Sequence, residues 1–319
     1  MSNVWEYRFA FPFRDPEDVP PEFRPDYERL VQALGPPALA FFSPTVEEPG
    51  LWLSRRTPVW AILVFSNSLA ILGLERGKPG IRVFTLGRED LLGFGLAEFL
   101  LDCWLSLDPG PLPGAPLKVR FPSRAMENYS ALLRHLADWS GPRATLRPER
   151  QPTGAPNLLQ GLPTKFIRAL EAQSHLFEGA WEYFYQPLLR PRRGATDGWA
   201  NTLLLLTPRG VVALSDEHRG GSSEYGLDWR LFPLAHITHL EWVEGVGTST
   251  AHLQLSLKGR TCGASVSWPV YRGLKPYACR LLDALEFSLS RFCGVPDGAS
   301  ITATTGEPGQ SSTVWLRNE

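Results

Sequence analysis

The sequence is poor in sulfur and carries no excess of either charge. Cysteine occurs four times and methionine twice in 319 residues. Cys103, Cys262, Cys279 and Cys293 contain no C-x-x-C pair, which argues against a disulfide framework or a zinc ribbon. Reduced thiols are expected, with Cys103 in a strand and Cys279 on a helix face. The formal net charge of −1 supplies no long-range field for nucleic acid, which is disfavoured as a partner. Long apolar runs are missing too. The longest, such as those containing 61–65 and 202–206, are strand-length, far short of the roughly 20 residues of a membrane-spanning helix. The opening MSNVWEYRFAFPFRDPED has no basic segment followed by an apolar one, so no secretory leader is expected. The expected location is the cytoplasm, with peripheral contact at the inner membrane surface left open.

Catalytic signatures are also absent. There is no G-x-S-x-G, H-E-x-x-H, P-loop or G-x-G-x-x-G. Asp216-Glu217-His218 with Asp228 could serve as an acid/base group, but Gly220-Gly221-Ser222-Ser223 beside it reads as a loop and no nucleophile motif accompanies it. His236 and His239 would point to opposite faces of a strand and have no third ligand at a recognisable spacing. The sequence therefore predicts no enzyme, no metal site and no cofactor.

What the chain does contain is a repeat. The segment 19–44, VPPEFRPDYERLVQALGPPALAFFSP, aligns without a gap with 162–187, LPTKFIRALEAQSHLFEGAWEYFYQP, at an offset of 143: Pro20 falls on Pro163, Phe23 on Phe166, Phe41 on Phe184 and Pro44 on Pro187. Further matches follow in the same order. Arg55-Arg56 and Trp60-Ala61 correspond to Arg192-Arg193 and Trp199-Ala200, ILVFSNSLAILGLE to TLLLLTPRGVVALSDE, Phe84–Leu86 to Phe232–Leu234, CWLSL to LQLSL, and VRFP (119–122) to VSWP (266–269). With 43% apolar residues, two domains of about 100–130 residues can each bury a core. The expected organisation is an N-terminal aromatic strand (1–18), a first repeat (19–139), a Pro/Gly-rich linker (140–161), a second repeat (162–293) and a disordered tail (294–319).

Each repeat opens with a helical stripe: Phe23, Tyr27, Leu30, Val31 and Leu34 in the first, and Phe166, Leu170 and Phe177 in the second. Proline at 20 and 163 suits a helix start. Hairpins follow, 61–65 with 69–74 and 202–206 with 211–214, linked by turn residues. Later strands are expected at 81–85, 90–96, 99–107 and 117–121, and at 229–232, 237–244, 250–257 and 262–268. A helix closes each repeat, through Tyr129, Leu132, Leu133 and Leu136, and through Tyr277, Leu281, Leu282, Leu285 and Leu289. The N-terminal run Trp5, Tyr7, Phe9, Phe11 and Phe13 alternates as a strand with one buried face would.

A basic segment before a hairpin, the run LLLLTPRGVVALSDE, the strand FPLAHITHLEW, and a last strand ending Val-x-Trp/Phe-Pro before a helix together resemble the pleckstrin-homology-like superfamily, including GRAM-like members, in a tandem bacterial form. Thr85–Gly95, TLGREDLLGFG, departs most from the corresponding FPLAHITHLEW. The resemblance implies an α+β fold of two PH-like domains, each a strongly bent antiparallel β-sheet or barrel capped by a C-terminal helix and preceded by a short helix. It also implies binding of phosphoinositides, anionic lipids, peptides or proteins in place of catalysis. The residues it singles out are the cations after the first strand: Arg190, Arg192 and Arg193, and Arg55 with Arg56. Their planar guanidinium forks match phosphate oxygens. The expected function is a non-catalytic scaffold that engages a protein partner, itself or an anionic lipid surface. An enzyme with a site between domains and a structural oligomer subunit built on the N-terminal strand are the alternatives.

Overall fold

A computed structural model of the chain describes residues 4–48, 55–99, 102–112, 115–139, 161–174, 179–188, 200–216, 226–245 and 249–292. The fold is mixed α+β, with mostly antiparallel sheets and a few helices. The chain divides into two compact units, Met1–Leu91 with Leu100–Trp139, and Leu92–Phe99 with Ser140–Glu319.

In the first unit, β1 (Phe11–Pro12), β2 (Leu39–Ser43), β5 (Val59–Val64), β6 (Ser68–Leu74) and β7 (Arg82–Gly87) form one antiparallel sheet in that order. A small hairpin, β3 (Glu47–Glu48) with β4 (Arg55–Arg56), lies between β2 and β5 in sequence, and β9 (Asp102–Leu112) pairs with β10 (Ala115–Pro122). Helix α1 (Arg24–Leu34) precedes the sheet and stops at Gly35, whose φ of 84° only glycine adopts without strain. Helix α2 (Met126–Trp139) ends the repeat, with Tyr129, Leu132, Leu133 and Leu136 fully buried as the stripe predicts. The Tyr129 ring stacks on Phe121 at 3.5 Å and meets Phe41 edge-on at 5.2 Å.

The second unit repeats this order. Helix α3 (Thr164–Ala172) precedes a meander of β11 (Glu182–Gln186), β12 (Thr202–Thr207), β13 (Gly210–Asp216) and β14 (Gly226–Pro233). Then β15 (Ile237–Glu244), β16 (Thr250–Lys258) and β17 (Gly263–Tyr271) form a second sheet, and α4 (Lys275–Phe292) closes the unit. The β15–β17 sheet and α4 bury Leu253, Leu255, Trp268, Leu281 and Leu285 against the inner face of the meander.

The register of the ladders repeats as well. Val119 faces Leu105 and Phe121 faces Cys103 across β9–β10; Val266 faces Leu255 and Trp268 faces Leu253 across β16–β17. These are the pairs that the VRFP/VSWP and CWLSL/LQLSL alignments place together. Phe41 faces Ile62 as Phe184 faces Leu204. At the start of each unit the Phe23 N–H donates to the Pro20 carbonyl, and the Phe166 N–H to the Pro163 carbonyl, both at 2.9 Å. One correspondence shifts. The ladders set Leu86, opposite Leu69, level with Phe232, opposite Val211, whereas the sequence match put Phe84 there. A slip of two residues keeps every side chain on its face, so alternation cannot detect it.

Four other expectations need correction. The sheets are open, not closed barrels: β14 does not pair with β15, which follows it in the chain, but with β8 (Gly93–Phe99), a strand from the first repeat's sequence. The strand expected at 90–96 thus starts three residues later, after a 3-10 turn at Arg88–Asp90, and the one expected at 99–107 runs over Asp102–Leu112. The N-terminal aromatic run is not a continuous strand. It has a 3-10 turn at Val4–Glu6 and pairs only at Phe11–Pro12. Its partly buried rings are held by edge and face contacts in place of a ladder, Tyr7 and Phe11 both packing on Phe42, while Phe9 is 66% exposed. Tyr277, placed at the head of the last helical stripe, is 58% exposed, and Ala278, one position around the helix, takes its place in the core. Cys103 and Cys279 sit as expected, in β9 and on α4, and Trp60 lies in the core. Trp199, Phe177 and Cys293 lie outside the described residues.

Candidate functional site

The second meander presents two faces. The row Phe184, Leu204, Ala213 looks into the core. The opposite face carries Tyr185, Leu203, Leu214, Trp229 and Leu96, which are cross-strand neighbours in turn. Two residues along on that same face, Asp216, Leu227 and Glu98 form the last row before the strands end. Asp216 and Glu98 are two strand spacings apart, about 10 Å between backbones. Phe166 of α3 meets the Tyr185 ring edge-on at 6.5 Å, bringing Lys165 over this end of the sheet.

A polar network forms there. The Asn201 side-chain amide donates to Asp216 Oδ2 at 2.8 Å and its backbone N–H to the same oxygen at 3.2 Å. The Asn201 side-chain carbonyl accepts from the Tyr185 hydroxyl at 3.1 Å and the Leu188 N–H at 2.8 Å. Lys165 Nζ lies 2.6 Å from Asp216 Oδ1 and donates to the Gly226 carbonyl at 3.1 Å. The Asp216 side chain is 1% exposed, a carboxylate that folding keeps from water only with such partners. Burial, and after it the charge of Asp216, push the Tyr185 phenol above its ordinary value. Burial alone pushes the Glu98 carboxyl up.

Asn201 thus ties residue 188 to residue 201, the two feet of segment 189–199. Lys165 ties residue 216 to residue 226, the two feet of segment 217–225. Asp216 joins the two ties. Arg190, Arg192 and Arg193 fall in the first of these segments and lie outside the described residues. Glu217 and His218, grouped with Asp216 as a potential acid/base set, also lie outside them. Asp216 itself is enclosed by Lys165 and Asn201, which suits an anchor. Asp228 is on the other face, 3.3 Å from Arg230. In the first unit, the Arg56 guanidinium donates through Nε and Nη2 to Glu47 Oε1 at 3.0 and 2.7 Å, so its charge is matched, while the Arg55 backbone pairs with Glu48.

His236 Nδ1 lies 3.2 Å from the Lys258 carbonyl, and His239 Nε2 lies 3.1 Å from the Ser256 hydroxyl, so the two imidazoles serve different neighbours. Among the described residues no group of three or more His, Cys, Asp or Glu side chains could hold a metal ion. Among them, too, no helix is long and apolar enough to cross a membrane. Lys165, Tyr185, Asn201 and Glu98 escaped the sequence reading because no motif links them. The one available signal was Asn201 standing directly before a strand of four leucines. No protein-family model matches the chain, and a search of curated proteins finds no match.

Proposed function

We propose that the chain is a non-catalytic binding protein of two PH-like units whose second unit engages an anionic surface through Arg190, Arg192 and Arg193. The repeated order of helix, four strands, three strands and helix supports the PH-like reading. The observation that carries the binding reading is the pair of ties at the end of the second meander. Holding the feet of a cationic segment lowers the ordering cost of bringing its charges to phosphate oxygens. The strongest polar contacts of the network thus anchor chain segments. Each arginine near an anionic membrane contributes about 1 kcal/mol, so three give weak, salt-sensitive binding.

Co-sedimentation with phosphatidylcholine vesicles, with and without phosphatidylglycerol, tests this. Binding is expected only with the anionic lipid at low salt, and is expected to vanish when Arg190, Arg192 and Arg193 are all changed to Ala. Absence of binding to anionic vesicles at low salt, or binding untouched by the triple substitution, overturns the reading.

A further inference from the structure

The two repeats treat one strand edge differently. Ladder equivalence sets Val83, Thr85 and Gly87 of β7 level with Trp229, Leu231 and Pro233 of β14. In antiparallel ladders alternate residues turn their N–H and C=O groups to opposite sides. The Arg88 N–H donates to the Asn67 carbonyl and the Leu234 N–H to the Arg209 carbonyl. Counting back in steps of two, Val83, Thr85 and Gly87 face away from β6, and Trp229 and Leu231 face away from β13. On β14 that outward edge is filled by β8, with Phe94 opposite Leu231 and Leu96 opposite Trp229. On β7, where the sheet ends among the described residues, Val83 is 38% exposed.

The filled edge states what fits. β8 brings glycine or alanine at alternate positions, Gly93, Gly95 and Ala97, with Phe94 and Leu96 buried between them. A Cβ on Gly95 would come within 1.9 Å of the Trp229 carbonyl oxygen, and one on Gly93 within 2.7 Å of the Phe232 ring. In a second copy of the chain the corresponding donor would be β15, aligned by the 3-10 turns at Arg88–Asp90 and Leu234–His236 and by buried Leu240 and Trp242. It has His239, Glu241 and Val243 where β8 has its small residues, and α4 packs along it. A second copy therefore does not suit the edge. The charge also differs. Arg82 stands where β14 has Asp228, opposite Ala97, and the single carboxylate of Glu75 serves both Arg82 and Lys78.

We infer that the outer edge of β7 is a docking site for an extended segment of a partner protein, with glycine or alanine at alternate positions, apolar residues between them and an acidic residue facing Arg82. The segment adds antiparallel to β7 as β8 adds to β14, with main-chain hydrogen bonds supplying affinity. This goes beyond the anionic-surface reading and involves a different unit.

A labelled peptide of residues 92–99 carrying Ala97→Asp is the probe, titrated with the full chain and followed by fluorescence anisotropy. Saturable binding is expected. Thr85→Pro, which removes an outward N–H without touching a β6–β7 bond, is expected to weaken it at least about tenfold, the scale of one backbone hydrogen bond, while Thr85→Val leaves it intact. A peptide with an added Gly95→Val is expected not to bind. If Thr85→Pro disturbs folding, Arg82→Glu decides: it must reverse the preference between Ala97→Asp and Ala97→Lys peptides. No saturable binding, or binding indifferent to Thr85→Pro and Arg82→Glu, overturns the inference. So does concentration-dependent self-association that Thr85→Pro abolishes, which would assign the edge to a second copy.

Discussion

Replacing Gly95 by Ala tests the most demanding contact in the second unit. The added methyl would sit 1.9 Å from the Trp229 carbonyl oxygen and 2.7 Å from the Arg230 Cα. Both are backbone atoms, so no rotamer change relieves the clash, and β8 must move away from β14. Separation puts at risk the pairs from Phe94–Leu231 to Phe99–Gly226. It also exposes Phe94 and Leu96, each fully buried in the native chain. Burial of such side chains contributes about 1.5–3 kcal/mol apiece, giving an upper bound near 6 kcal/mol. Partial retreat of the strand resembles overpacking, at about 1–3 kcal/mol. The expected loss is therefore about 2–5 kcal/mol. Urea unfolding followed by tryptophan emission reads it as a fall in midpoint. Gly87→Ala is the control. Its backbone is ordinary and the nearest atom to a new Cβ is 4.0 Å away, so it is expected to change stability by under about 0.5 kcal/mol. A Gly95→Ala protein as stable as the parent would refute the claim that β8 depends on this close approach.

Two further outcomes follow from the polar network and its row. Lys165→Met leaves the enclosed Asp216 carboxylate without its cation and is expected to cost about 3–5 kcal/mol, while adding Asp216→Leu recovers much of the loss; thermal melts of both variants check this. Glu98 is held above the ordinary carboxyl range by burial, so in the window between its unfolded and folded pKa the native state holds more protons. Its contribution is complete below the unfolded value and is lost as pH rises through the folded one. Glu98→Gln is therefore expected to gain stability relative to the parent at neutral pH and to show no gain in acid, as read from urea midpoints at the two pH values.

Much of the strand content was legible because each strand alternates or runs apolar over its own length, a local property. Val119–Phe121 and Val266–Trp268 were matched in register from sequence, and the ladders pair them identically. Partner choice is not local. Nothing within Gly93–Phe99 announces that it also pairs with Gly226–Pro233 of the other repeat. The clue lay in a mismatch: TLGREDLLGFG was the worst copy of its counterpart, and two of its three glycines, Gly93 and Gly95, are the residues the close approach requires. The polar network was invisible for a different reason. Lys165, Tyr185, Asn201 and Asp216 come from α3, β11, the residue before β12 and β13, and their meeting depends on α3 lying across strand ends that sequence alone does not place together.

The unequal copies follow from one geometric demand. A duplicated fold with an unpaired edge in each unit invites open-ended addition of one chain to the next. In this chain β8 satisfies β14, which removes one edge, and the donor strand left over, β15, carries His239 and Glu241 where addition calls for glycine. Both side chains are largely buried, His239 Nε2 lies 3.8 Å from Glu241 Oε1, and partly buried charge on an edge is costly to cover with another strand. The substitutions that make the first repeat a poor match to the second are therefore those that let one edge close within the chain while the corresponding donor in the second repeat stays unfit to extend it. Among the described residues, β7 keeps an edge whose filled equivalent is known from the same chain. A search for binding partners should begin there and at the arginines of segment 189–199, two sites on different units that separate substitutions can disable one at a time.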